Sequence, residues 1–104
     1  MTVDFNIEIR NRIRVAVAAY AYEFENDSVM SDHDYDKLSL EINPLVTTGN
    51  ELLDRFFKSE FEASTSQWVH QHPELGKLKW IYHAYHVTQH NDLFGKLMAW
   101  EFSP

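Results

Sequence analysis

Two tyrosines and three acids lie close together in the N-terminal part of the chain, in a pattern that could hold a flat cationic ring. Tyr22 and Glu23 end an aromatic run, and Asp32, Tyr35 and Asp36 follow a short polar segment. The last three are spaced i, i+3 and i+4, so on a helix they share one side. A tyrosine face attracts a cation by about 0.5–2 kcal/mol, and carboxylates accept hydrogen bonds from ribose hydroxyls. These five residues form the candidate binding site, with a purely structural role as helix-start acids and core-edge tyrosines as the alternative.

Apolar spacing predicts that the candidate residues lie on two antiparallel helices joined by a short loop. The first runs from about Phe5 to Asp27, because apolar residues recur every three or four positions, as in one buried stripe. The residues of this stripe are Ile9, Ile13, Ala16, Val17, Tyr20 and Phe24. A second face holds Tyr22 with Val15, Ala18 and Ala19. A helix with two apolar faces is either sandwiched in the core or presents one face to a partner or ligand.

The second helix has a clear start and end. Ser31 is a typical N-cap, and Asp34 three residues later completes a capping-box-like pattern. Tyr35, Leu38 and Ile42 form the inward stripe, and the Asn43-Pro44 pair stops the helix. We therefore expect Tyr22 and Glu23 to face Asp32, Tyr35 and Asp36 across the mouth of the hairpin.

The rest of the chain predicts further helices and no strands. A third helical pattern, of Leu52, Leu53, Phe56 and Phe57, is followed by a polar connector at 63–67. Pro73 suits the first residue of a fourth helix. An amphipathic segment at 93–102 predicts a short fifth helix or an ordered tail. The predicted fold is one all-α domain over residues 1–104, with the hairpin at 5–43, additional helices at 48–102, and about four to five helices in all.

The hairpin motif resembles a known family. The pattern Tyr22…Ser31-Asp32-x-x-Tyr35-Asp36-x-Leu38 is similar to the N-terminal helical hairpin of bacterial NAD-dependent DNA ligases, which receives the nicotinamide mononucleotide half of NAD. Tyr22, Asp32, Tyr35 and Asp36 match the family, whereas Glu23 stands in place of a histidine. The resemblance implies NAD or nicotinamide mononucleotide as the ligand. A glutamate at that place repels a phosphate, so a ligand without one, or no small ligand at all, is more compatible.

The catalytic part of such a ligase is missing from the sequence. No glycine belongs to the Lys-x-Asp-Gly motif that supplies the lysine nucleophile, and the chain has no cysteines for a tetracysteine zinc site. No other set of residues forms a convincing catalytic group. The sequence therefore predicts a non-catalytic, stand-alone ligase-related domain, and the resemblance suggests a bacteriophage or mobile element as its source.

Three histidines form a second cluster of interest. His83, His86 and His90 fall within one arc of the fourth helix, where His70 or His72 could add a zinc or nickel ligand. The arc lies beside the aliphatic stripe and contains no His-Glu-x-x-His motif. We therefore predict no metal site. A polar edge facing solvent or a partner is the favoured interpretation, and a pH-responsive surface is the alternative.

The charge balance restricts the partners. A net charge of −7 argues against direct nucleic-acid binding, which needs a dense basic surface. The acids either keep the protein soluble or dock on a basic protein, as an interaction module or an inhibitor that imitates nucleic acid. The absence of cysteines and of any apolar run long enough for a bilayer predicts a cytoplasmic protein that does not enter a membrane. Two functional hypotheses remain open: binding of a nicotinamide nucleotide at the hairpin, and docking on a basic protein.

Overall fold

The computed structural model describes the backbone of residues 5–88 and the side chains of residues 5–84. All the regular secondary structure in this part of the chain is helical. The elements are α1 (Phe5–Phe24), α2 (Asp32–Glu41), α3 (Glu51–Ser59), a 3-10 helix (Gln67–Gln71) and α4 (Leu75–Thr88). The predicted all-α fold is therefore confirmed. None of these helices is both long and apolar enough to cross a lipid bilayer. The predicted segment at 93–102 lies outside the described residues, as do the side chains of Tyr85, His86 and His90.

Helix α1 is the centre of the fold and contacts α2, the 3-10 helix and α4. Its middle is buried on every side, since Val15, Val17 and Ala19 are all fully inaccessible to solvent. Of the two alternatives for its apolar faces, the structure shows the sandwiched one along this middle part, whereas Tyr22 near the helix end is 59% exposed. The predicted stripe is wrong at Phe24, which is 44% exposed. Because the helix ends at Phe24, this ring lies at the rim of the core, where it stacks on Tyr20.

Helices α1 and α2 form the predicted antiparallel hairpin. Ser31 is the N-cap of α2, and its hydroxyl accepts a hydrogen bond from the backbone N–H of Asp34 at 3.1 Å. At the other end, the backbone N–H of Asn43 donates to the Glu8 carboxylate near the start of α1. The two helices thus run in opposite directions, and the candidate residues lie at the end where the short loop joins them.

Aromatic side chains from the second half of the chain close the core against α1. Phe56 and Phe57 of α3 are buried, and Trp68 of the 3-10 helix packs against both rings. The sequence patterns did not predict this 3-10 helix, because it contains only two core residues, Trp68 and Val69. Its short length leaves no room for a repeated apolar stripe.

Helix α4 packs along α1 with Leu78, Ile81 and Tyr82 buried between them. The predicted place of Pro73 as the first residue of this helix is wrong, because α4 begins at Leu75. The helical hydrogen bonding starts from the carbonyl of Glu74, which accepts from the N–H of Leu78. Pro73 therefore lies in the turn that precedes the helix.

Candidate functional site

The five predicted site residues line one open pocket of about 420 Å³. The pocket lies between the C-terminal end of α1, the first turns of α2 and the segment 64–67, which we call the connector wall. Tyr22 and Glu23 come from α1, and Asp32, Tyr35 and Asp36 come from α2. The other lining residues are Ala18, Ser28, Val29, Met30, Ser64, Thr65, Ser66 and Gln67. The structure thus brings together the five residues of the candidate binding site.

The two aspartates and Tyr22 form the exposed rim of this pocket. Asp32 and Asp36 are one helical turn apart and both exposed, and the side of α2 that carries them faces the pocket. The Tyr22 ring is 59% exposed, so much of its surface is open to a ligand. Two carboxylates beside an accessible aromatic ring can attract an organic cation by charge and by cation–π contact.

Tyr35 belongs to the wall of the pocket and fastens α2 to the connector wall. Its hydroxyl donates to the carbonyl oxygen of Thr65 at 2.7 Å, and the indole N–H of Trp68 donates to the same oxygen at 2.7 Å. Burial, with the nearby charges of Asp36 and Glu23, raises the pKa of Tyr35 to about 12. The phenol therefore keeps its proton at neutral pH and offers the pocket a neutral ring.

Glu23 fastens α1 to the same wall. The Ser66 hydroxyl donates to one carboxylate oxygen at 2.5 Å, and Nε2 of His70 lies 2.9 Å from the other. These hydrogen bonds from Ser66 and His70 lower the pKa of Glu23 below its usual value, so the carboxylate is ionised at neutral pH. Because both oxygens have partners within the protein, Glu23 supports the pocket and is poorly placed to bind a ligand directly.

The connector wall is the part of the site that the sequence analysis missed. It was predicted only as a polar linker, although the hydroxyl-bearing run Ser64-Thr65-Ser66 lies two residues before the buried Trp68. That run was the available signal, since small hydroxyl side chains can line a polar pocket without filling it. Ser64 has a φ of +79°, a left-handed conformation that is uncommon for residues other than glycine.

Among the described residues, no three His, Cys, Asp or Glu side chains are arranged to hold a metal ion, and His83 is the member of the histidine cluster whose side chain is described. His83 is exposed, and its Nε2 lies 3.8 Å from a carboxylate oxygen of Glu25. His70 and His72 are both engaged elsewhere: His70 pairs with Glu23, and Nδ1 of His72 accepts the backbone N–H of Glu74. These contacts are structural links between neighbouring elements.

No protein-family model matches the chain, and the searches of curated proteins and of solved structures found no significant match to it. The resemblance to the ligase hairpin therefore remains a prediction that depends on Tyr22, Asp32, Tyr35 and Asp36. The pocket geometry is independent of that resemblance.

Proposed function

We propose that this protein is a non-catalytic binding domain whose hairpin pocket holds a nicotinamide-containing nucleotide or nucleoside. One observation carries the proposal: Tyr22 and Glu23 on one helix, and Asp32, Tyr35 and Asp36 on the next, line a single pocket of about 420 Å³. Ligand pockets for small molecules are commonly about 300–1,000 Å³. The volume therefore suits a pyridinium ring with its ribose.

The chemistry of the lining fits such a ligand. The exposed face of Tyr22 can stack on a pyridinium ring, a contact of about 0.5–2 kcal/mol. Asp32 and Asp36 can accept hydrogen bonds from ribose hydroxyls, and hydrogen bonds to charged groups contribute about 1.5–3 kcal/mol each. After the costs of association, these contacts support weak binding, with a dissociation constant of about 1 mM.

Chemical-shift mapping with nicotinamide riboside, nicotinamide mononucleotide and NAD tests the proposal. Binding should perturb Tyr22, Tyr35 and the connector wall, and Tyr22→Ala should weaken it by about two- to thirtyfold. Trp80→Ala is a matched control, because Trp80 is 55% exposed, close to the 59% of Tyr22, and does not line the pocket. The proposal fails if none of the three compounds perturbs the pocket at about 1 mM.

A second candidate function is docking on a basic protein, favoured by the exposed surface of α2. Asp34 and Glu41 are exposed there, and Leu40, the residue before Glu41, is 74% exposed. An apolar side chain on a helix that carries exposed acids is suited to a partner with a basic rim. Salt-sensitive retention of one basic protein from bacterial lysate would support this function if Asp34→Asn/Glu41→Gln abolishes retention. Neither residue lines the pocket, so the same variant should leave nicotinamide binding unchanged.

A further inference from the structure

We propose that the pocket selects a cationic ring compound that carries no phosphate, and that Asp32 and Asp36 impose this selection. The inference rests on the function proposed above and narrows its ligand class from nicotinamide nucleotides to phosphate-free pyridinium nucleosides and similar flat cations. Three observations support it: the charge of the lining residues, the capping and the charge of the α2 N-terminus, and the different environments of the three acids.

The lining residues supply negative charge and no cation. Glu23, Asp32 and Asp36 line the pocket, and the described lining residues include no Lys, Arg or His. Proteins hold phosphates with arginine, lysine or clustered backbone N–H groups, which give charge-assisted hydrogen bonds. A phosphate in this pocket would meet three carboxylates and no lysine or arginine among the lining residues, whereas a cationic ring meets acids and aromatic faces.

The N-terminus of α2 does not provide an anion site in place of the missing lysine or arginine side chains. A helix N-terminus carries about half a positive charge. Here two acids, Asp32 and Asp34, occupy the first turn, and the Ser31 hydroxyl already accepts the backbone N–H of Asp34. The full charge of Asp32, which lines the pocket, outweighs the partial charge of the helix end, so the field inside the pocket attracts cations.

The three acids differ in what they can do for a ligand. The Glu23 carboxylate is bonded to Ser66 and His70 and holds the connector wall. Asp32 and Asp36 are exposed and project from the same side of α2 toward the pocket. Replacing these two carboxylates by amides changes the charge at the rim without removing a link in the wall. The selectivity can therefore be changed separately from the shape of the pocket.

The test compares ligands that share one ring and differ in charge. Nicotinamide riboside has a pyridinium cation, and nicotinamide mononucleotide adds a phosphate of about −1.5 to −2 charges. 1-Methylnicotinamide, methylated on the ring nitrogen, is a small cation, and nicotinamide is its neutral counterpart. Isothermal titration of the full chain should show the riboside binding about tenfold more tightly than the mononucleotide, and 1-methylnicotinamide about tenfold more tightly than nicotinamide.

Asp32→Asn/Asp36→Asn should reduce both preferences to about threefold or less, while Asp34→Asn, on the same helix but outside the pocket lining, should preserve them. Equal binding of mononucleotide and riboside, or unchanged preferences in the double variant, would overturn the selectivity and leave the proposed function standing. If no compound binds to the wild type at about 1 mM, the proposed function fails and the inference falls with it. Circular dichroism of the variants, whose altered residues are all exposed, checks that the fold is kept.

Discussion

The guanidinium of Arg12 joins α1 to α3 and to the loop between α2 and α3, which makes it the most informative residue for a test of stability. Its Nε donates to Glu8 at 2.7 Å and its Nη1 donates to Asp54 at 2.8 Å. Its Nη2 donates to the carbonyls of Asn43 and Val46, each at 3.0 Å. The Arg12 and Glu8 side chains are 5% and 7% exposed, so this network lies almost entirely out of water.

We expect Arg12→Met to lower the free energy of unfolding by about 3–5 kcal/mol, the usual cost of removing one partner from a buried ion pair. Methionine keeps approximately the apolar part of the Arg12 side chain, so the loss of stability reports the contribution of the guanidinium group. Glu8 and Asp54 would remain as buried carboxylates without a cation. Burial raises the pKa of Asp54, but hydrogen bonds from Thr48 and Arg12 outweigh it and lower the pKa below its usual value. Removing Arg12 should therefore raise that pKa.

Urea unfolding followed by tryptophan fluorescence measures the loss, because Trp68 is buried in the core. Arg55→Met is the matched control: Arg55 and Glu51 also form an i, i+4 pair, at 3.5 Å, but their side chains are 73% and 89% exposed. Exposed pairs contribute about 0–1 kcal/mol. A loss for Arg12→Met below about 1.5 kcal/mol, or equal to that of the control, would refute the reasoning.

A triple replacement gives a second test of the same reasoning. Glu8→Leu/Arg12→Met/Asp54→Leu removes both carboxylates with the guanidinium, and buried ion pairs replaced by apolar residues often cost little. We expect the triple variant to recover at least about 2 kcal/mol relative to Arg12→Met. A triple variant less stable than Arg12→Met would show that the carboxylates contribute through contacts other than Arg12, such as the Thr48 bonds to Asp54.

Four further predictions concern single side chains. Burial lowers the pKa of His72 from 6.5 to about 4, so the unfolded state takes up the proton first as the pH falls. Stability should drop by up to about 3 kcal/mol over that range, and His72→Gln should flatten the slope in urea titrations at several pH values. Glu23→Ala removes the acceptor of two hydrogen bonds, which should cost about 2–3 kcal/mol in thermal unfolding and weaken binding of nicotinamide riboside. Ser31→Ala removes the N-cap of α2 and should cost about 1 kcal/mol, whereas the exposed Ser59→Ala should change stability by less than about 0.5 kcal/mol. The Ser39 hydroxyl is buried with no hydrogen-bond partner among the described residues, so Ser39→Ala should raise the free energy of unfolding by up to about 1 kcal/mol, and a loss of that size would contradict the assignment.

The hairpin was predictable because its signals are local. Ser31 bonds a backbone N–H three residues away, and Asp32, Tyr35 and Asp36 share a side of α2 through helical periodicity alone. The connector wall was not predictable in this way. Ser66 bonds Glu23 across 43 residues of sequence, and Thr65 bonds Tyr35 across 30. No spacing rule connects positions so far apart.

Helical periodicity also could not predict which residues of α1 are buried. Arg10, Arg12 and Arg14 alternate along the helix, yet only Arg12 is fully buried. The helix has contacts on several sides, so a single apolar stripe cannot identify its buried positions. Phe24 belongs to the predicted stripe but lies at the end of the helix, where the core stops.

The sequence by itself determined the all-α class, the helical hairpin and the side of α2 on which Asp32, Tyr35 and Asp36 lie. Capping and helical periodicity set these features, and both act over three or four residues. Only the tertiary structure decided that α1 is enclosed, that segment 64–67 completes the pocket, and that Glu23 holds this wall with both of its oxygens. Those features depend on side chains far apart in sequence, which meet only when the packing of the whole core brings their helices together.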